Sequence, residues 1–176
     1  MPMIDAYIPE NALPRDAEER LFAELTDILI RHEGLDPANE RIRNVTWLFL
    51  HRPTIFRAGI RISQPIYRII PSVPEGQYTD EARDGLVRHV TEAIARAEGA
   101  PVEAVSSRVW VFPTEIFDGG WGSRGVIRRL PDIMDYFGGA PFRQIGVQRL
   151  AAKRRRDLVS MLETVMSAIR GDASGD

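Results

Sequence analysis

Short apolar runs alternate along the chain with longer segments in which apolar residues recur every three or four positions. The short runs are typical of strands and occupy residues 3–8, 45–50, 66–73 and 109–112. The longer segments are typical of amphipathic helices, with apolar stripes at Ala17, Leu21, Leu25, Ile28 and Leu29 and at Ala82, Leu86, Val90, Ile94 and Ala97. The pattern predicts two strand–helix–strand units in succession.

Residues that start or stop helices stand at the ends of both longer segments. Pro14 suits the first turn of the first helix, and Gly34 suits its C-terminal cap. Thr79 is a typical N-cap for the second helix, which Gly99 ends just before Pro101. Each helix is therefore about five turns long and lies between two strands.

The two strand–helix–strand units are copies of one another. At an offset of 65, eight residues of the first unit recur as Pro74, Glu75, Ala82, Leu86, Thr91, Arg96, Glu98 and Gly99. Slightly further along, Trp47 and Phe49 recur as Trp110 and Phe112 at an offset of 63. A duplicated unit of this size determines the architecture of the first two thirds of the chain.

Two such units, each with a right-handed crossover, predict an α+β fold with one four-stranded mixed sheet and both helices on one face. The repeats span 2–52 and 66–116 within a domain at 1–125. Residues 45–50 are apolar on both sides of their strand, which is typical of a sheet covered on both faces. Either the C-terminal segment or another copy of the chain is expected to cover the second face.

The last third of the chain is expected to form an extension at 126–170. Pro131 interrupts its first part, and 171–176 is expected to be a disordered tail. The clearest element is a helix predicted at 146–169, whose apolar side carries Leu150, Leu158, Leu162, Val165 and Ile169.

Composition narrows the possible chemistry. The 176 residues are 44% hydrophobic and 27% charged with a formal net charge of −2, as in an ordinary globular protein. Cysteine is absent, which excludes disulfides and thiolate chemistry. A pI near 6.0 argues against a nucleic-acid partner, and no apolar run approaches the ~18 residues of a membrane helix. The start of the chain lacks signal-peptide features, so a cytoplasmic protein without a membrane partner is expected.

Two familiar motifs carry little weight. Gly120, Gly122 and Gly125 match a dinucleotide-binding pattern, but they follow the second unit instead of opening a helix inside it. The three histidines are too scattered for a zinc set. Neither a nucleotide nor a metal cofactor is expected.

Pro2 is the residue whose chemistry stands out. Removal of Met1, which cells normally carry out before a small second residue, would leave proline with a secondary amine at the chain end. An α-amino group titrates at about 7.7 to 8.0, and apolar surroundings lower that pKa because they disfavour the cation. Such an amine can act as a general base near neutral pH. At the repeat offset its counterpart is Tyr67, an internal residue without a free amine.

With this proline at the start of a duplicated β-α-β chain, the sequence resembles the tautomerase superfamily. Residues 2–4 and 22–26 look like the start of macrophage migration inhibitory factor, and 114–125 looks like the end of the 4-oxalocrotonate tautomerase unit. The superfamily also includes cis-3-chloroacrylic acid dehalogenase, and the resemblance covers residues 2 to about 125. It implies a homotrimer with sites between subunits, an amino-terminal proline as base or acid, and no cofactor.

The resemblance also suggests which residues form the site. Pro2 matches the catalytic proline, Arg108 matches a substrate-binding arginine, and Trp121 matches an apolar wall of the pocket. Trp110 and Phe112 fall where related proteins carry polar pocket residues, so those polar functions are expected to be lost.

Two further positions belong to the expected substrate-binding set. Asn44 falls where a related decarboxylase has a water-activating aspartate, a role that an amide cannot fill. Tyr67 stands at the position equivalent to Pro2 in the second copy. The loop arginines of related enzymes are replaced in this chain, and the candidates to take over a substrate carboxylate are Arg68, Arg124 and Arg129.

The favoured interpretation is a cofactor-independent isomerase of the tautomerase type. Pro2 would move a proton between carbon and oxygen of a small carboxylate-bearing 2-keto or enol acid, while Arg108 holds the carboxylate. If Pro2 acts as a base, activity is expected to fall below about pH 6 to 7. One alternative is a hydratase, decarboxylase or dehalogenase in which protonated Pro2 polarises an unsaturated acid and Glu115 activates water. The other is a non-catalytic trimeric binding or structural protein.

Overall fold

The computed structural model describes residues 2–172, with two β-α-β units followed by two further helices. In chain order the elements are β1 (Met3–Tyr7), α1 (Arg15–His32), α2 (Glu40–Arg43), β2 (Trp47–His51), β3 (Phe56–Arg57), β4 (Ile60–Arg61), β5 (Tyr67–Pro74), α3 (Asp80–Glu98), α4 (Val102–Val105), β6 (Val109–Val111), β7 (Thr114–Ile116), β8 (Gly122–Ser123), β9 (Val126–Ile127), α5 (Leu130–Gly138) and α6 (Ala140–Asp172). A 3-10 turn at Ser106–Arg108 leads into β6.

One mixed sheet joins the two units, as the repeat predicts. Its strand order is β2-β1-β5-β6, and β7 pairs with the second half of β5. Within each unit the strands run parallel, whereas β1 and β5 run antiparallel with Met3 opposite Ser72. This central antiparallel pair places the starts of the two copies at opposite ends of the sheet.

The predicted ends of α3 are confirmed, and those of α1 are displaced by one residue. The Thr79 side chain accepts a hydrogen bond from the backbone N–H of Ala82, and Gly99 closes α3 in the left-handed conformation with φ of 68°. Pro14 is the N-cap of α1. Gly34, with φ of 67°, directly follows Glu33, the C-cap of that helix. These local signals set the helix lengths that bring α1 and α3 onto one face of the sheet.

The main hydrophobic core lies between α1, α3 and the sheet. Alternate residues of β1 and β5 point into it, and the helices contribute the predicted apolar stripes. Its largest fully buried side chains include Ile4, Ile8, Leu21, Leu25, Leu29, Tyr67, Ile69, Leu86 and Ile94.

The opposite face of the sheet is open in the single chain. Trp47 and Trp110 are each 60% exposed, and Phe49 and Phe112 are 44% and 41% exposed. The C-terminal segment was one of the two covers expected for this face, but it packs elsewhere. The other expected cover, another copy of the chain, stays a prediction.

The C-terminal extension instead packs against the end of the sheet where β1 begins. Its residues form a second core cluster with the end of α1, α2 and the sheet edge. The buried members are Ile30, Leu35, Ile42, Trp121, Leu130, Ile133, Met134, Phe137 and Leu150, and Met3, Val45 and Ile116 pack against them.

The sequence missed α5, because Pro131 was expected to interrupt structure. A proline is compatible with the first turn of a helix, where its missing N–H has no intrahelical partner, and Pro131 occupies that turn of α5. The last helix also begins earlier than predicted, at Ala140. Gly146 allows the two helices to meet closely, since a Cβ there would lie 2.9 Å from the Cα of Pro131.

The second half of α6 projects beyond this cluster. Of its predicted apolar stripe, Leu150 is buried, whereas Leu158, Leu162, Val165 and Ile169 are 50–64% exposed. The expected disordered tail falls largely outside the described residues, since 173–176 are not described and the backbone of 171–172 continues α6. Within residues 2–172, no helix combines the length and the apolar character needed to cross a membrane.

Candidate active site

Pro2 is buried at the start of β1. Its carbonyl oxygen accepts a hydrogen bond of 3.3 Å from the N–H of Trp47, the first residue of β2. Because Met3 pairs with both Trp47 and Ser72, Pro2 lies between the beginning of β2 and the end of β5. The pairing of β1 with its two neighbouring strands therefore holds Pro2 in place.

A cavity of about 520 Å³ adjoins the start of β1. Its walls come from the open face of the sheet and from the loop that follows β7. They consist of Met3, Val45, Trp47, Ile116, Gly120, Trp121, Gly122, Ser123 and Arg124. The cavity is thus mostly apolar, and its single cationic lining group is the Arg124 guanidinium. This combination suits a small organic anion.

The β8–β9 hairpin positions Arg124 at this cavity. Arg124 stands in the turn with φ of 52°, and its guanidinium carbon lies 5.7 Å from the centre of the Tyr136 ring on α5. A smaller cavity of about 90 Å³ continues from the same arginine toward Asp132 and Tyr136. The C-terminal extension thereby helps to orient the one arginine that faces the main cavity.

Two of the residues expected at the site do lie at the Pro2 end of the sheet. Trp121 is 5% exposed, packs in the second core cluster and forms a wall of the cavity. Asn44 caps α2, and its backbone carbonyl accepts a hydrogen bond of 3.3 Å from the indole of Trp47. The Asn44 side chain itself is exposed and does not line the cavity.

Arg108 and Tyr67 lie at the other end of the sheet. Tyr67 begins β5, five residues before Ser72, so roughly 16 Å of strand separates it from the Pro2 end. Arg108 forms an ion pair of 2.6 Å with Glu98, and the Tyr67 hydroxyl donates a hydrogen bond of 2.5 Å to the same carboxylate. The bond to Arg108 lowers the pKa of Glu98, and burial raises the pKa of Tyr67. Within one chain, neither residue is brought to Pro2.

Trp110 and Phe112 lie on the open face, across the sheet from β2. The Arg68 guanidinium carbon stands 5.1 Å from the Tyr7 ring centre and 5.4 Å from that of Phe112. Arg129 forms an ion pair of 2.6 Å with Asp118. Of the three alternative carboxylate-binding arginines, Arg124 is therefore the one that the fold places at the cavity.

Glu115, the carboxylate expected to activate water in the alternative mechanism, has a structural role. It accepts hydrogen bonds from the backbone N–H groups of Gly76 and Tyr78 at 2.9 and 3.1 Å. Its second oxygen pairs with Arg83 at 2.8 Å. Both oxygens are thus bonded within the fold, in a position that ties the β5–α3 loop to β7.

Sequence reasoning missed a buried polar group at the Pro2 end. Glu33, which is 1% exposed, accepts a hydrogen bond of 2.8 Å from the Gln77 amide. Arg149 of α6 donates to the Glu33 backbone carbonyl at 2.7 Å and to the Gln77 amide oxygen at 2.8 Å. Oε1 of Glu33 and the hydroxyl of Tyr78 have no hydrogen-bond partner among the described residues. The one signal for this group was the recurrence of Glu33 as Glu98 in the repeat.

Burial raises the pKa of the Glu33 carboxyl to about 7. The Gln77 amide and Arg149 oppose this rise. The site thus holds an acid whose pKa is raised toward neutral pH by burial. Across residues 2–172, no three histidine, aspartate or glutamate side chains are grouped so as to hold a metal ion.

Neither a model of a known protein family nor a curated protein sequence matches the chain. Solved structures do match it. Pt0534 inactivated by 2-oxo-3-pentynoate is 20% identical, with a TM-score of 0.57 over 71% of this chain and 94% of that one. A wild-type fused 4-OT asymmetric trimer is 19% identical, with a TM-score of 0.58 over the same 71% and 94%. N1, a member of the cis-3-chloroacrylic acid dehalogenase family, is 16% identical, with a TM-score of 0.56 over 71% and 82%.

These matches define the class of fold: the chain has the duplicated β-α-β fold of tautomerase superfamily structures. At identities of 16–20% the likeness is one of fold. The part of the chain outside each match is about as long as the segment 126–176.

Proposed function

We propose that this protein is a cofactor-independent tautomerase. Removal of Met1 frees the Pro2 amine, which transfers a proton between oxygen and carbon of a small 2-keto or enol acid carrying a carboxylate. The observation that carries the proposal is the position of Pro2, which is buried at the start of β1 directly before Met3, and Met3 lines an apolar cavity with one arginine.

The cavity supplies what this chemistry requires. Arg124 binds the substrate carboxylate, because a guanidinium forms two parallel hydrogen bonds with such a group. The side chains of Met3, Trp47 and Trp121 exclude water, which strengthens that ion pair. Arg124 takes the role that the resemblance implied for Arg108, which is bonded to Glu98 at the far end of the sheet.

The reaction needs only one group that accepts and returns a proton. Unprotonated Pro2 takes the proton from the enol oxygen, the electron pair of that O–H bond forms the carbonyl, and the C=C pair becomes available at carbon. The Pro2 ammonium then delivers its proton to that carbon. One O–H bond breaks and one C–H bond forms, so no oxidant, reductant or metal enters the balance.

We also propose that the working form is a homotrimer, built on the open face of the sheet. Four exposed aromatic residues form an apolar surface there, which a monomeric protein in water seldom leaves uncovered. A matched fused 4-OT structure is a trimer.

The hydratase-like alternative requires a carboxylate that activates water. Glu115 was its candidate, and both oxygens of Glu115 are bonded within the fold. The alternative makes the opposite prediction about pH, because the protonated amine is then the working form. A rate that declines as pH rises through the amine titration supports this alternative. A rate that rises supports the tautomerase.

Activity of the purified protein and of Pro2→Ala tests the proposal. Phenylenolpyruvate and 2-hydroxymuconate serve as enol acids, and a haloacrylate tests the alternative. We expect ketonisation of at least one enol acid and a loss of about 100-fold or more in kcat/KM for Pro2→Ala. An intact mass should show that Met1 is absent. A chain that retains Met1, or equal rates for the two proteins, contradicts the proposal.

A further inference from the structure

The carboxylate of Glu33 lies buried at the Pro2 end of the sheet with one oxygen unused. Oε2 accepts a hydrogen bond from Gln77, whereas Oε1 has no partner in the part of the chain that the structure describes. A buried carboxylate oxygen without a donor is costly, and native proteins seldom keep one without a reason. The arrangement indicates that a donor is missing from this place.

The second copy of the repeat shows which residue donates a hydrogen bond to the equivalent carboxylate. Glu98 is the counterpart of Glu33, and Tyr67 is the counterpart of Pro2. In the second copy, the Tyr67 hydroxyl donates a hydrogen bond of 2.5 Å to Oε1 of Glu98. The carboxylate at the end of the helix therefore faces the first position of the strand. By the same internal symmetry, we expect the Glu33 carboxylate to face the position of Pro2.

Proline cannot make this contact until the chain is processed. Its ring carries no polar group, and a proline nitrogen in a peptide bond has no hydrogen to donate. Once Met1 is removed, the nitrogen becomes a secondary amine that carries two N–H donors when protonated. The missing donor and the catalytic group of the proposed function thus appear together.

We propose that Glu33 is a positioning residue for Pro2, with its carboxylate facing the freed amine and sharing one proton with it. The inference rests on the proposed function only in taking the Pro2 amine as the working group. Glu33 acts through Pro2 and does not itself contact the substrate.

The surroundings of Glu33 suit such a shared proton. Arg149 reaches it from α6, Gln77 and Tyr78 from the loop before α3, and Met134 of α5 lies against the Gln77 amide at 3.8 Å. Gln77 and Arg149 favour the anion, while burial favours the neutral acid and raises its pKa to about 7. An α-amino group ordinarily titrates nearby, at about 7.7 to 8.0, so we expect the pair to hold a single proton near neutral pH. The extension completes this arrangement, because both Arg149 and Met134 belong to it.

Loss of the carboxylate should change the amine directly. A nearby negative charge stabilises the ammonium form, so Glu33→Gln should lower the pH at which Pro2 titrates by about one to two pH units. Glu33→Asp keeps the charge and should stay within about half a pH unit of the wild type. Glu19→Gln, an equal change at an exposed site on α1 where the side chain is 67% exposed, should leave the titration unchanged.

The measurement is a nitrogen-15 NMR titration of the processed protein labelled at proline, in which the amine of Pro2 is distinct from the amide nitrogens of the other prolines. Thermal unfolding of each variant checks that it is folded. The acidic limb of kcat/KM for an enol acid should move with the amine. An amine that titrates at the same pH in wild type and Glu33→Gln overturns the proposal, as does a Glu33→Asp variant that behaves like Glu33→Gln.

The titration requires no turnover, so this inference and the proposed function fail separately. A lowered amine titration in Glu33→Gln without turnover of any enol acid supports the pair and contradicts the tautomerase. Turnover that depends on Pro2 supports the tautomerase. If the pH at which the Pro2 amine titrates is then the same in wild type and Glu33→Gln, the pairing of Glu33 with the amine is contradicted.

Discussion

Replacing Trp110 by alanine tests whether copies of the chain meet on the open face of the sheet. Trp110 is 60% exposed in the single chain. A tryptophan side chain buries up to about 250 Å², so a neighbour that covers this ring removes about 150 Å² from water. At about 25 cal/mol per Å², the contact is worth about 4 kcal/mol for each chain and about 11 kcal/mol for a trimer. That loss weakens association by about eight powers of ten.

Sedimentation velocity at micromolar concentration measures the effect. The wild type should sediment with three times the mass of the 19.9 kDa chain, and Trp110→Ala should sediment as a single chain. Phe56→Ala is the matched control, since this aromatic residue is 61% exposed on the β3–β4 hairpin, away from the sheet face. A monomeric wild type, or a Trp110→Ala protein that associates as well as Phe56→Ala, refutes the assignment of the interface.

Three further outcomes follow from the site and the extension. Arg124→Ala should raise KM for a carboxylate substrate about 10- to 100-fold with little change in kcat, whereas Arg15→Ala, exposed on α1, should leave steady-state KM as it is. Phe137→Ala should cost about 3 to 5 kcal/mol in urea unfolding, because this ring is 2% exposed in the second core cluster, and a loss below about 1 kcal/mol would show that the extension is not packed there. The raised pKa of Glu33 means that the folded state holds its proton longer than the unfolded chain does, so stability should fall as pH rises from 4.5 toward about 7. The fall is about 1.4 kcal/mol per pH unit at its steepest, and Glu33→Gln should flatten it in unfolding curves measured at pH 5 and pH 7.

The fold was predictable where a residue type has one strong local role. Thr79 and Gly99 mark the ends of α3 because only a short polar side chain and a residue free to adopt positive φ suit those positions. The repeat then supplied the topology. The prediction that Pro131 interrupts the chain was wrong. Proline disrupts the interior of a helix but is favourable in its first turn, and no local pattern distinguished the two cases.

The candidate site was predictable only in part. Pro2 and Trp121 lie at one end of the sheet, and their roles in a site stay a prediction. Arg108 and Tyr67 lie at the other, because the antiparallel pairing of β1 with β5 sends equivalent positions of the two copies to opposite ends. Arg149 could not be placed from sequence, since its bond to the Glu33 carbonyl spans 116 residues. Contacts of that range depend on how the extension folds back against the end of the sheet.

Covalent labelling with 2-oxo-3-pentynoate tests the role of Pro2 most directly. This small acetylenic 2-keto acid presents an electrophilic carbon to an unprotonated amine, and its carboxylate can bind the cavity arginine. We expect one reagent molecule per chain, located by peptide mass spectrometry on the amine of Pro2 in a chain that lacks Met1. A chain that stays unlabelled, or a label on any residue other than Pro2, contradicts the assignment of Pro2 as the reactive group.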